Sequence, residues 1–368
     1  MQPAQPVLFP ESVQRSLRQL PVIGEQRDIT YYATHARSVL NNPGTTGMTF
    51  WSINPYIGCA FGCAYCYARY AHRYVMERAT AAHRLAGAAE RDAGNIPPWL
   101  AFERHIFVKR NAASVLARSL RHGSDKHLAL VRGEGIVIGT ATDPYQPAER
   151  RFRITRGILE LLATHPGLHI TIITKSPLVT RDAALLARIG QISSLSVHIS
   201  LITLDRALAR RLEPRAPTPE SRLRAVERLT EAGVDVGINC MPVLPGITDN
   251  PHALDSLVQH AAEAGAAHLG SCSLRLQHEA RKRYLPFITQ EFPQLAERYR
   301  DAYAHRSSLG DRYRSGLAAF MERACRKHGL RWRTYGYDED SEPEAPATSP
   351  SVAEQLSLPL YPSLVETR

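Results

Sequence analysis

NPYIGCAFGCAYCY, residues 54–67, follows an apolar, strand-like run at residues 48–53 and places three cysteines at the spacing C-x3-C-x2-C. These are Cys59, Cys63 and Cys66, half of the chain's six cysteines. Thiolates this close together bind a metal or form a disulfide, and three is the wrong number for local disulfides. Structural zinc takes four ligands, whereas three thiolates on a [4Fe–4S] cluster leave one iron open for an outside ligand. The spacing predicts an iron–sulfur cluster, and the alternative is a zinc site with His72 as the nearest fourth ligand.

Composition limits the class of protein. The 368 residues are 44% hydrophobic and 22% charged with a mean hydropathy of −0.26, as in a soluble globular protein with one large domain or two ordinary ones. No apolar run reaches the length of about 18 residues that a membrane span needs, and no secretory signal pattern opens the chain. Clustered thiols without an export signal predict a reducing cytoplasm.

Charge is unevenly distributed along the chain. Residues 338–368 hold seven acidic residues and one basic residue, a net charge of −6, which leaves 44 basic and 28 acidic residues, a net charge of +16, on the rest. A body this basic suits a polyanion and favours contact with nucleic acid. The alternative is an arginine-rich composition without a nucleic-acid role. Two basic runs are candidates either for phosphate contacts or for a solvated face, at 150–153 and 281–283.

Beyond the cysteines, short strands alternate with helices. The pattern predicts strands at 105–109, 135–142, 169–175, 194–201, 234–241 and 268–275. Such alternation is typical of an α/β fold with a parallel sheet, here a partial or full TIM-like βα barrel. In these folds chemistry gathers at the carboxyl ends of the strands, where the cysteine loop lies. The predicted divisions are an irregular N-terminal arm at 1–47, a barrel core at 48–285, a helical C-terminal extension at 286–337 and a disordered acidic tail at 338–368.

Polar residues occur in these strands where a buried strand is normally apolar. They are Thr140, Thr142, Lys175, His198, Ser200, Asn239, Ser273 and Arg275. If they share the inner face, leaving them unpaired costs about 1–3 kcal/mol each, so a bound polar ligand is the simpler account. Cys240 and Cys272 alternate out of phase with them, and we expect both to face the helices as small buried hydrophobes.

The cysteine motif, with an aromatic residue before its last cysteine and a place after the first barrel strand, resembles the radical S-adenosylmethionine (SAM) superfamily. The resemblance covers residues 48–285. It implies that the three cysteines hold three irons of a [4Fe–4S] cluster and that SAM chelates the fourth iron. One electron then cleaves SAM to a 5′-deoxyadenosyl radical, which abstracts hydrogen from the substrate. An electron donor of the flavodoxin or ferredoxin type is implied as a partner.

Shorter matches resemble the spore photoproduct lyase-like group, including its uncharacterised branch of photolyase-named proteins. Cys63-Ala-Tyr65-Cys66-Tyr67 matches its Cys-x-Tyr-Cys-Tyr, which implies that Tyr65 and Tyr67 relay hydrogen; Tyr65 is also a candidate SAM contact. A Thr-Lys match at 172–175 implies that Lys175 binds the SAM carboxylate, and the alternative is a structural ion pair. A serine match at 197–200 implies that Ser200 contacts SAM.

Two further residues are candidates for the SAM site. Asp143 follows a strand, where it either binds the amino group or ribose of SAM or caps the next element. Asn239 lies on the polar face of its strand. One position departs from the lyase pattern, because Thr140 stands where the lyase has the cysteine that returns hydrogen to the product radical. A threonine O–H bond is too strong for that step, so the resemblance implies radical generation without the lyase's quenching thiol.

The acidic tail carries an isolated apolar hexapeptide, Gln355-Leu356-Ser357-Leu358-Pro359-Leu360. It resembles the sliding-clamp-binding motif of bacterial repair proteins, with Gln355 first and Leu356, Leu358 and Leu360 filling the clamp pocket. The alternative is a tail that packs on its own domain. The sequence as a whole predicts a radical SAM enzyme, possibly lyase-type, that acts on DNA in lesion repair. The alternatives are radical SAM modification of RNA, protein or a small molecule, and a non-catalytic metal-containing DNA-binding adaptor.

Overall fold

A computed structural model describes residues 19–333 except 83, 86 and 94; the acidic tail and its hexapeptide, with Gln355, Leu356, Leu358 and Leu360, lie outside the described residues. The strands are β1 (Val22–Gln26), β2 (Ile29–Thr34), β3 (Leu40–Asn41), β4 (Trp51–Ile53), β5 (Tyr56–Ile57), β6 (His105–Lys109), β7 (Ile136–Ile138), β8 (His169–Thr174), β9 (Ser194–Ser200), β10 (Asp235–Val243), β11 (His268–Ser273) and β12 (Arg331–Arg333).

The helices follow the same order along the chain. They are α1 (Pro43–Thr46), α2 (Arg69–Ala81), α3 (Gly87–Asp92), α4 (Pro98–Arg104), α5 (Ala112–Ser119), α6 (Asp125–Val131), α7 (Pro147–Phe152), α8 (Ile154–Leu162), α9 (Ala183–Ile192), α10 (Arg206–Leu212), α11 (Pro219–Glu231), α12 (Pro251–Glu263), α13 (His278–Glu291), α14 (Ala296–Ala302) and α15 (Asp311–Lys327). Short 3₁₀ turns occur at Pro177–Asp182 and Pro293–Leu295. None of the helices described here has the length and hydropathy that a bilayer crossing requires.

The larger sheet has the strand order β12-β11-β10-β9-β8-β7-β4-β3. Every neighbouring pair from β4 to β12 is parallel, and β3 joins β4 in the antiparallel sense. Helices connect the parallel strands, as the alternating pattern predicts. The predicted α/β fold with a parallel sheet is confirmed. Within the described residues β3 and β12 are edges, so the sheet is open and is not a closed barrel.

A smaller sheet, with the order β1-β2-β6-β5, differs from the sequence prediction. The strand expected at 105–109 as a barrel strand is β6, which pairs in parallel with β2 and antiparallel with β5. The segment expected to be an irregular arm supplies β1, β2 and β3 within its described part. Because β5 ends just before the cysteines, this second sheet fixes the entry of the cysteine loop.

The two faces of the large sheet differ as the alternation predicts. On β9, Leu195, Val197 and Ile199 belong to the main hydrophobic core, whereas Ser196, His198 and Ser200 point the other way. Cys240 also belongs to that core, as expected. Cys272 does not. The register pairs Cys240 with Ser271, so Cys272 lies on the face that carries Asn239.

Candidate active site

The cysteine loop is held between two distant chain segments. On one side the Cys59 N–H donates to the Phe102 carbonyl over 3.0 Å. On the other side the Ala64 N–H donates to the Leu212 carbonyl over 2.9 Å, and the Arg215 N–H to the Phe61 carbonyl over 3.2 Å. The loop is therefore sandwiched between the end of α4 and the residues that follow α10, before any cofactor binds.

Glycine is required twice in this loop. Gly58 has φ +85°, and a Cβ atom there would lie 2.8 Å from the Phe102 carbonyl oxygen. Gly62 has φ +67°, and a Cβ atom would lie 2.8 Å from Oε2 of Glu103. Positive φ and close approach both exclude a side chain. These two residues set the curvature that brings Cys59, Cys63 and Cys66 to the end of β4.

Polar residues after β7 tie the loop to the large sheet. Gln146 donates to the Gly58 carbonyl over 3.0 Å and accepts from the Ala60 N–H over 3.0 Å. The Thr142 hydroxyl donates to the same Gly58 carbonyl over 2.6 Å. Both side chains are buried. The prediction that places Thr140 and Thr142 on a strand is wrong, because β7 ends before both residues. The Thr142 hydroxyl satisfies the loop backbone rather than facing a ligand.

A buried ion pair lies under the loop. Arg69, at the start of α2, pairs with Glu103 at 2.6 Å and donates to the carbonyls of Cys63 and Trp99, both at 2.6 Å. The Arg69 side chain is fully buried. Because the Arg69 guanidinium donates to the Cys63 carbonyl, Arg69 fixes the backbone of the middle cysteine.

The thiols fit an iron–sulfur cluster. Cys59 and Cys63 are buried and Cys66 is partly exposed, and none forms a disulfide. Burial raises the pKa of Cys59 to about 12 and the pKa of Cys63 well above its ordinary range, so both are neutral until a metal displaces the proton. Backbone N–H groups of Phe61 and Asp143 already hydrogen-bond to the Cys59 sulfur, as they would to a cluster-bound thiolate.

A single-ion site is not formed. Across the described residues, no three Cys, His, Asp or Glu side chains converge closely enough to ligate one metal ion. Thiolates on a four-iron cluster each bind a different iron, so they need not converge on one point. His72, the fourth ligand of the zinc alternative, is buried, and its Nε2 lies 2.8 Å from the His105 carbonyl oxygen. It packs α2 against β6 instead.

Four side chains form a charged cluster beside the cysteine loop: Tyr65, Lys175, Glu213 and Arg222. The Tyr65 hydroxyl donates to Oε1 of Glu213, and Arg222 donates to Oε2 of the same carboxylate. The Lys175 Nζ lies 3.9 Å from Oε1 of Glu213 and 5.7 Å from the centre of the Tyr65 ring. The cluster joins the cysteine motif to the end of β8.

The charges in this cluster support one another. Burial raises the pKa of the Glu213 carboxyl, but Arg222 and Lys175 oppose that effect and hold it below its ordinary value. Burial lowers the pKa of Lys175, but the negative charges of Cys63, when it is a thiolate, and of the Glu213 carboxylate outweigh burial and raise it. Carboxylate and ammonium are both charged as a result.

The next two strands contribute the predicted polar residues Ser200 and Asn239. They pair directly across β9 and β10, so their side chains lie on the same face. The Ser200 carbonyl accepts from Nη1 of Arg222 over 2.9 Å, which connects Ser200 to the charged cluster. Asn239 is 4% exposed, and its side chain lies beside His198, whose pKa burial lowers and the Asn239 hydrogen bond raises. Asn239 and Ser200 are buried polar side chains on the face of Lys175, which fits a site for a polar ligand.

Asp143 is fully engaged by its own chain. Its carboxylate accepts from the Thr174 hydroxyl over 2.6 Å, the Lys175 N–H over 2.7 Å and the Tyr145 N–H over 2.9 Å. These bonds join the end of β7 to the end of β8. The N-cap residue of the next helix is Gln146 rather than Asp143, and the contacts of Asp143 instead fix the backbone that carries Lys175.

The two tyrosines of the motif have different surroundings. Tyr65 is buried against Glu213, whereas Tyr67 is 44% exposed and its hydroxyl donates to the Thr140 carbonyl. The Thr140 hydroxyl accepts from Nδ2 of Asn54 over 3.0 Å. Tyr67 and Thr140 therefore meet at the mouth of the site, while Tyr65 lies inside it.

The basic run 281–283 is largely used within the fold. Arg281 donates to the carbonyls of Ala304 and Arg306, and the Arg283 guanidinium stacks over Trp99 and Phe287. Lys282 is exposed. This run packs α13 and offers little free charge for phosphates.

Sequence reasoning missed Glu213 and Arg222, the residues that connect the predicted ones. Glu213 is 148 residues from its partner Tyr65, and it lies between the end of α10 and a proline. Arg222 is one of several arginines on α11. An acid before a proline and an arginine in a helix are common features, so no local pattern marks either residue.

Comparison with known proteins gives both family and fold. A model of the Radical SAM superfamily matches residues 53–257, more than half of the chain. An uncharacterized protein of Mycobacterium tuberculosis is 33% identical over 291 residues, which are 78% of this chain and 78% of that protein. An uncharacterized protein of Methanocaldococcus jannaschii is 28% identical over 208 residues, which are 56% of this chain and 66% of that protein.

Solved structures of spore photoproduct lyase share the fold. The lyase complexed with dinucleoside spore photoproduct superposes with a TM-score of 0.58 at 15% identity, over 87% of each chain. A mutant of that lyase with bound AdoMet and dinucleoside spore photoproduct gives a TM-score of 0.59 at 16% identity, over 86% of this chain and 87% of that one. At these identities the likeness concerns the fold alone.

Proposed function

The chain belongs to the radical SAM superfamily, and from that premise we propose that it is a lesion-repair enzyme that acts on DNA. Members of the superfamily use a [4Fe–4S] cluster and SAM. The observation that carries the proposal is the cluster of Tyr65, Lys175 and Glu213, which brings the cysteine loop and the end of β8 together. The sequence matches that point to a lyase-like enzyme lie on these same two segments.

The proposed roles follow from the contacts. Cys59, Cys63 and Cys66 hold the cluster; Lys175, Ser200 and Asn239 line the SAM site; and Asp143 fixes the backbone of Lys175. When bound, the cluster and SAM supply one-electron chemistry that abstracts hydrogen from a substrate carbon. Lys175 orients the SAM carboxylate by charge, and Asn239 offers a buried polar side chain. The enclosed face between β8 and β10 excludes water from the reacting atoms.

Two features support DNA as the substrate. Tyr67 and Tyr70, beside the last cysteine, are 44% and 42% exposed, and exposed rings next to a site provide surfaces on which bases stack. The body outside the acidic tail carries a net charge of +16, which attracts a polyanion. The solved lyase whose fold is similar holds a dinucleoside photoproduct. Tyr65 and Tyr67 are the proposed catalytic tyrosines, and Thr140 implies that the final hydrogen donor differs from the lyase's cysteine.

The test is anaerobic reconstitution followed by SAM turnover with DNA. We expect about four irons per chain and formation of 5′-deoxyadenosine from reduced protein, accelerated by ultraviolet-irradiated duplex but not by intact duplex. Cys63→Ala is the control without turnover. A protein that takes up metal and binds DNA but neither responds to SAM nor cleaves it would be the non-catalytic metal-containing adaptor. If the protein cleaves SAM but DNA does not change the rate, the substrate would instead be RNA, protein or a small molecule.

We also propose that a flavodoxin or ferredoxin supplies the electrons, in a reducing cytoplasm. A further proposal is a tether to the bacterial sliding clamp through Gln355, Leu356, Leu358 and Leu360. An apolar hexapeptide in an acidic tail supports the tether, because such segments dock as linear motifs. Calorimetric titration of a 350–362 peptide against a bacterial clamp tests it. Leu358→Ala is expected to abolish binding, and undiminished binding would contradict the pocket model.

A further inference from the structure

A buried carboxylate lies within reach of the lysine that the proposed function assigns to SAM. Glu213 is 1% exposed and lies 3.9 Å from the Lys175 Nζ, while the Lys175 side chain retains 16% exposure. A carboxylate in this position competes with any ligand carboxylate for the same ammonium. Left alone, it would neutralise Lys175 and close the site to an anionic group.

Arg222 supplies the missing charge. Its side chain is 1% exposed, and its Nη2 donates to the Glu213 oxygen that faces away from Lys175. Its other donors are fixed on backbone, with Nε 2.9 Å from the Pro217 carbonyl and Nη1 2.9 Å from the Ser200 carbonyl. The guanidinium cannot reach a ligand in this position, and its three bonds allow it little movement. Glu213, Arg222 and Lys175 together carry one net positive charge, enough for one carboxylate.

We propose that Arg222 is a positioning residue that neutralises Glu213 and thereby keeps the Lys175 ammonium available for the carboxylate of SAM. Glu213 in turn holds the Tyr65 hydroxyl at the cysteine loop. The inference rests on the proposed role of Lys175 and adds to it the two residues that determine its charge. It also gives a role to the buried Arg222 of α11, whose donors are all held by Glu213 and by backbone carbonyls.

The experiment measures equilibrium affinity for SAM and for decarboxylated SAM, which lacks the carboxylate, with reconstituted full-length protein. Arg222→Gln should weaken SAM binding about tenfold or more, because Glu213 then takes Lys175 as its counterion. Binding of decarboxylated SAM should change by less than about twofold. Arg224→Gln, an exposed arginine on the same helix, should leave both affinities unchanged.

A double variant separates charge from structure. Arg222→Gln with Glu213→Gln removes both charges and leaves an amide oxygen for the Tyr65 hydroxyl, so SAM affinity should return to within about threefold of the starting protein. Without that recovery Arg222 has a merely structural role, and the proposal is overturned. Equal losses for both ligands would also overturn it.

Two further variants allow the result to be interpreted if Arg222→Gln fails to fold or if the role of Lys175 is wrong. If Arg222→Gln does not fold, Glu213→Gln alone tests the proposal. The proposal predicts that Glu213→Gln binds SAM at least as tightly as the starting protein does. A tenfold loss of affinity for SAM, without a loss for decarboxylated SAM, would contradict it. Lys175→Met tests the underlying assignment. Unchanged SAM affinity in Lys175→Met removes Lys175 from the proposed function. If Lys175→Met weakens the binding of SAM but not of decarboxylated SAM, and Arg222→Gln does not, only the proposed role of Arg222 is refuted.

Discussion

Gly62 has a backbone conformation that residues with a side chain rarely adopt. Its φ is +67°, and a Cβ atom would collide with the Glu103 carboxylate that pairs with Arg69. We expect Gly62→Ala to lower the free energy of unfolding by about 1–3 kcal/mol and to reduce the iron retained after reconstitution, since the strain falls between Cys59 and Cys63. Urea unfolding and iron analysis measure both effects.

Gly190→Ala is the matched control. Gly190 lies in α9 with no atom within 4 Å of an added Cβ, so alanine should be neutral or stabilising by up to about 1 kcal/mol. Full iron content and unchanged stability in Gly62→Ala would show that the loop does not need its left-handed turn.

Single residues were predictable where a local motif carries them. The spacing of the cysteines and the short matches around Tyr65, Lys175 and Ser200 led to residues that the fold places on neighbouring segments. Glu213 and Arg222 were not predictable, because their importance comes from contacts between distant segments. Asp143 shows a further limit, since a strand-end aspartate suits a ligand or a cap equally until its three donors are known.

Between elements, one ion pair joins α2 to α4 beneath the cysteine loop. Removing Arg69 leaves Glu103 buried without its counterion and leaves the Cys63 carbonyl without its donor. We expect Arg69→Met to lower the free energy of unfolding by about 3–5 kcal/mol, measured by urea unfolding of the protein without cluster. Arg78→Met, an exposed arginine of the same helix, should change stability by less than about 0.5 kcal/mol. Equal effects of the two substitutions would mean that the pair under the loop is not important for stability.

The type and the buried face of a strand or helix can be predicted where the local pattern of apolar residues is regular. The two faces of β9 are predicted correctly, because apolar and polar residues alternate along this strand without exception. The place of β6 in a separate sheet was not predictable, since a strand's own pattern does not identify its partners. Alternation with the polar Ser273 and Arg275 predicts that Cys272 faces the helices. The pairing of Cys240 with Ser271 reverses that assignment.

Across the molecule, a buried histidine pair links β9 to β11 over β10. His198 and His268 approach to 3.0 Å between their Nε2 atoms, and Gly237 of β10 leaves the space for the His268 ring. Burial lowers the pKa of His198 to about 3, helped by His268 and Arg333. Burial also lowers the pKa of His268 to about 4, helped by Arg333 and opposed by Asp235.

This pair predicts a loss of stability in mild acid. The folded protein keeps both rings neutral, whereas the unfolded chain binds protons as the pH falls below about 6.5. The stabilisation is fully present above pH 6.5 and decreases as the pH falls towards 4, by up to about 1.4 kcal/mol per pH unit for His198. Urea unfolding between pH 7 and pH 5 measures the slope. His198→Gln with His268→Gln should reduce the slope and leave the part due to His72, whose pKa burial lowers to about 3. An unchanged slope would assign the effect to other groups.

The whole molecule also limits what its motif alone implies. Membership of the radical SAM superfamily implies a [4Fe–4S] cluster and SAM, while the exposed tyrosines, the basic body and the tail support the proposed substrate. Thr140, whose carbonyl accepts from the Tyr67 hydroxyl, is the residue at which we propose a different hydrogen donor from that of the lyase. The central claim is therefore that the hydrogen is taken from damaged DNA.

Isotope transfer tests that claim most directly. Reduced, reconstituted protein is incubated with SAM and an ultraviolet-irradiated oligonucleotide deuterated in its pyrimidines, and the 5′-deoxyadenosine is analysed by mass spectrometry. The account predicts deuterium in the 5′-deoxyadenosine, with none from the unirradiated oligonucleotide. Unlabelled 5′-deoxyadenosine, formed at the same rate with and without irradiated DNA, would contradict it.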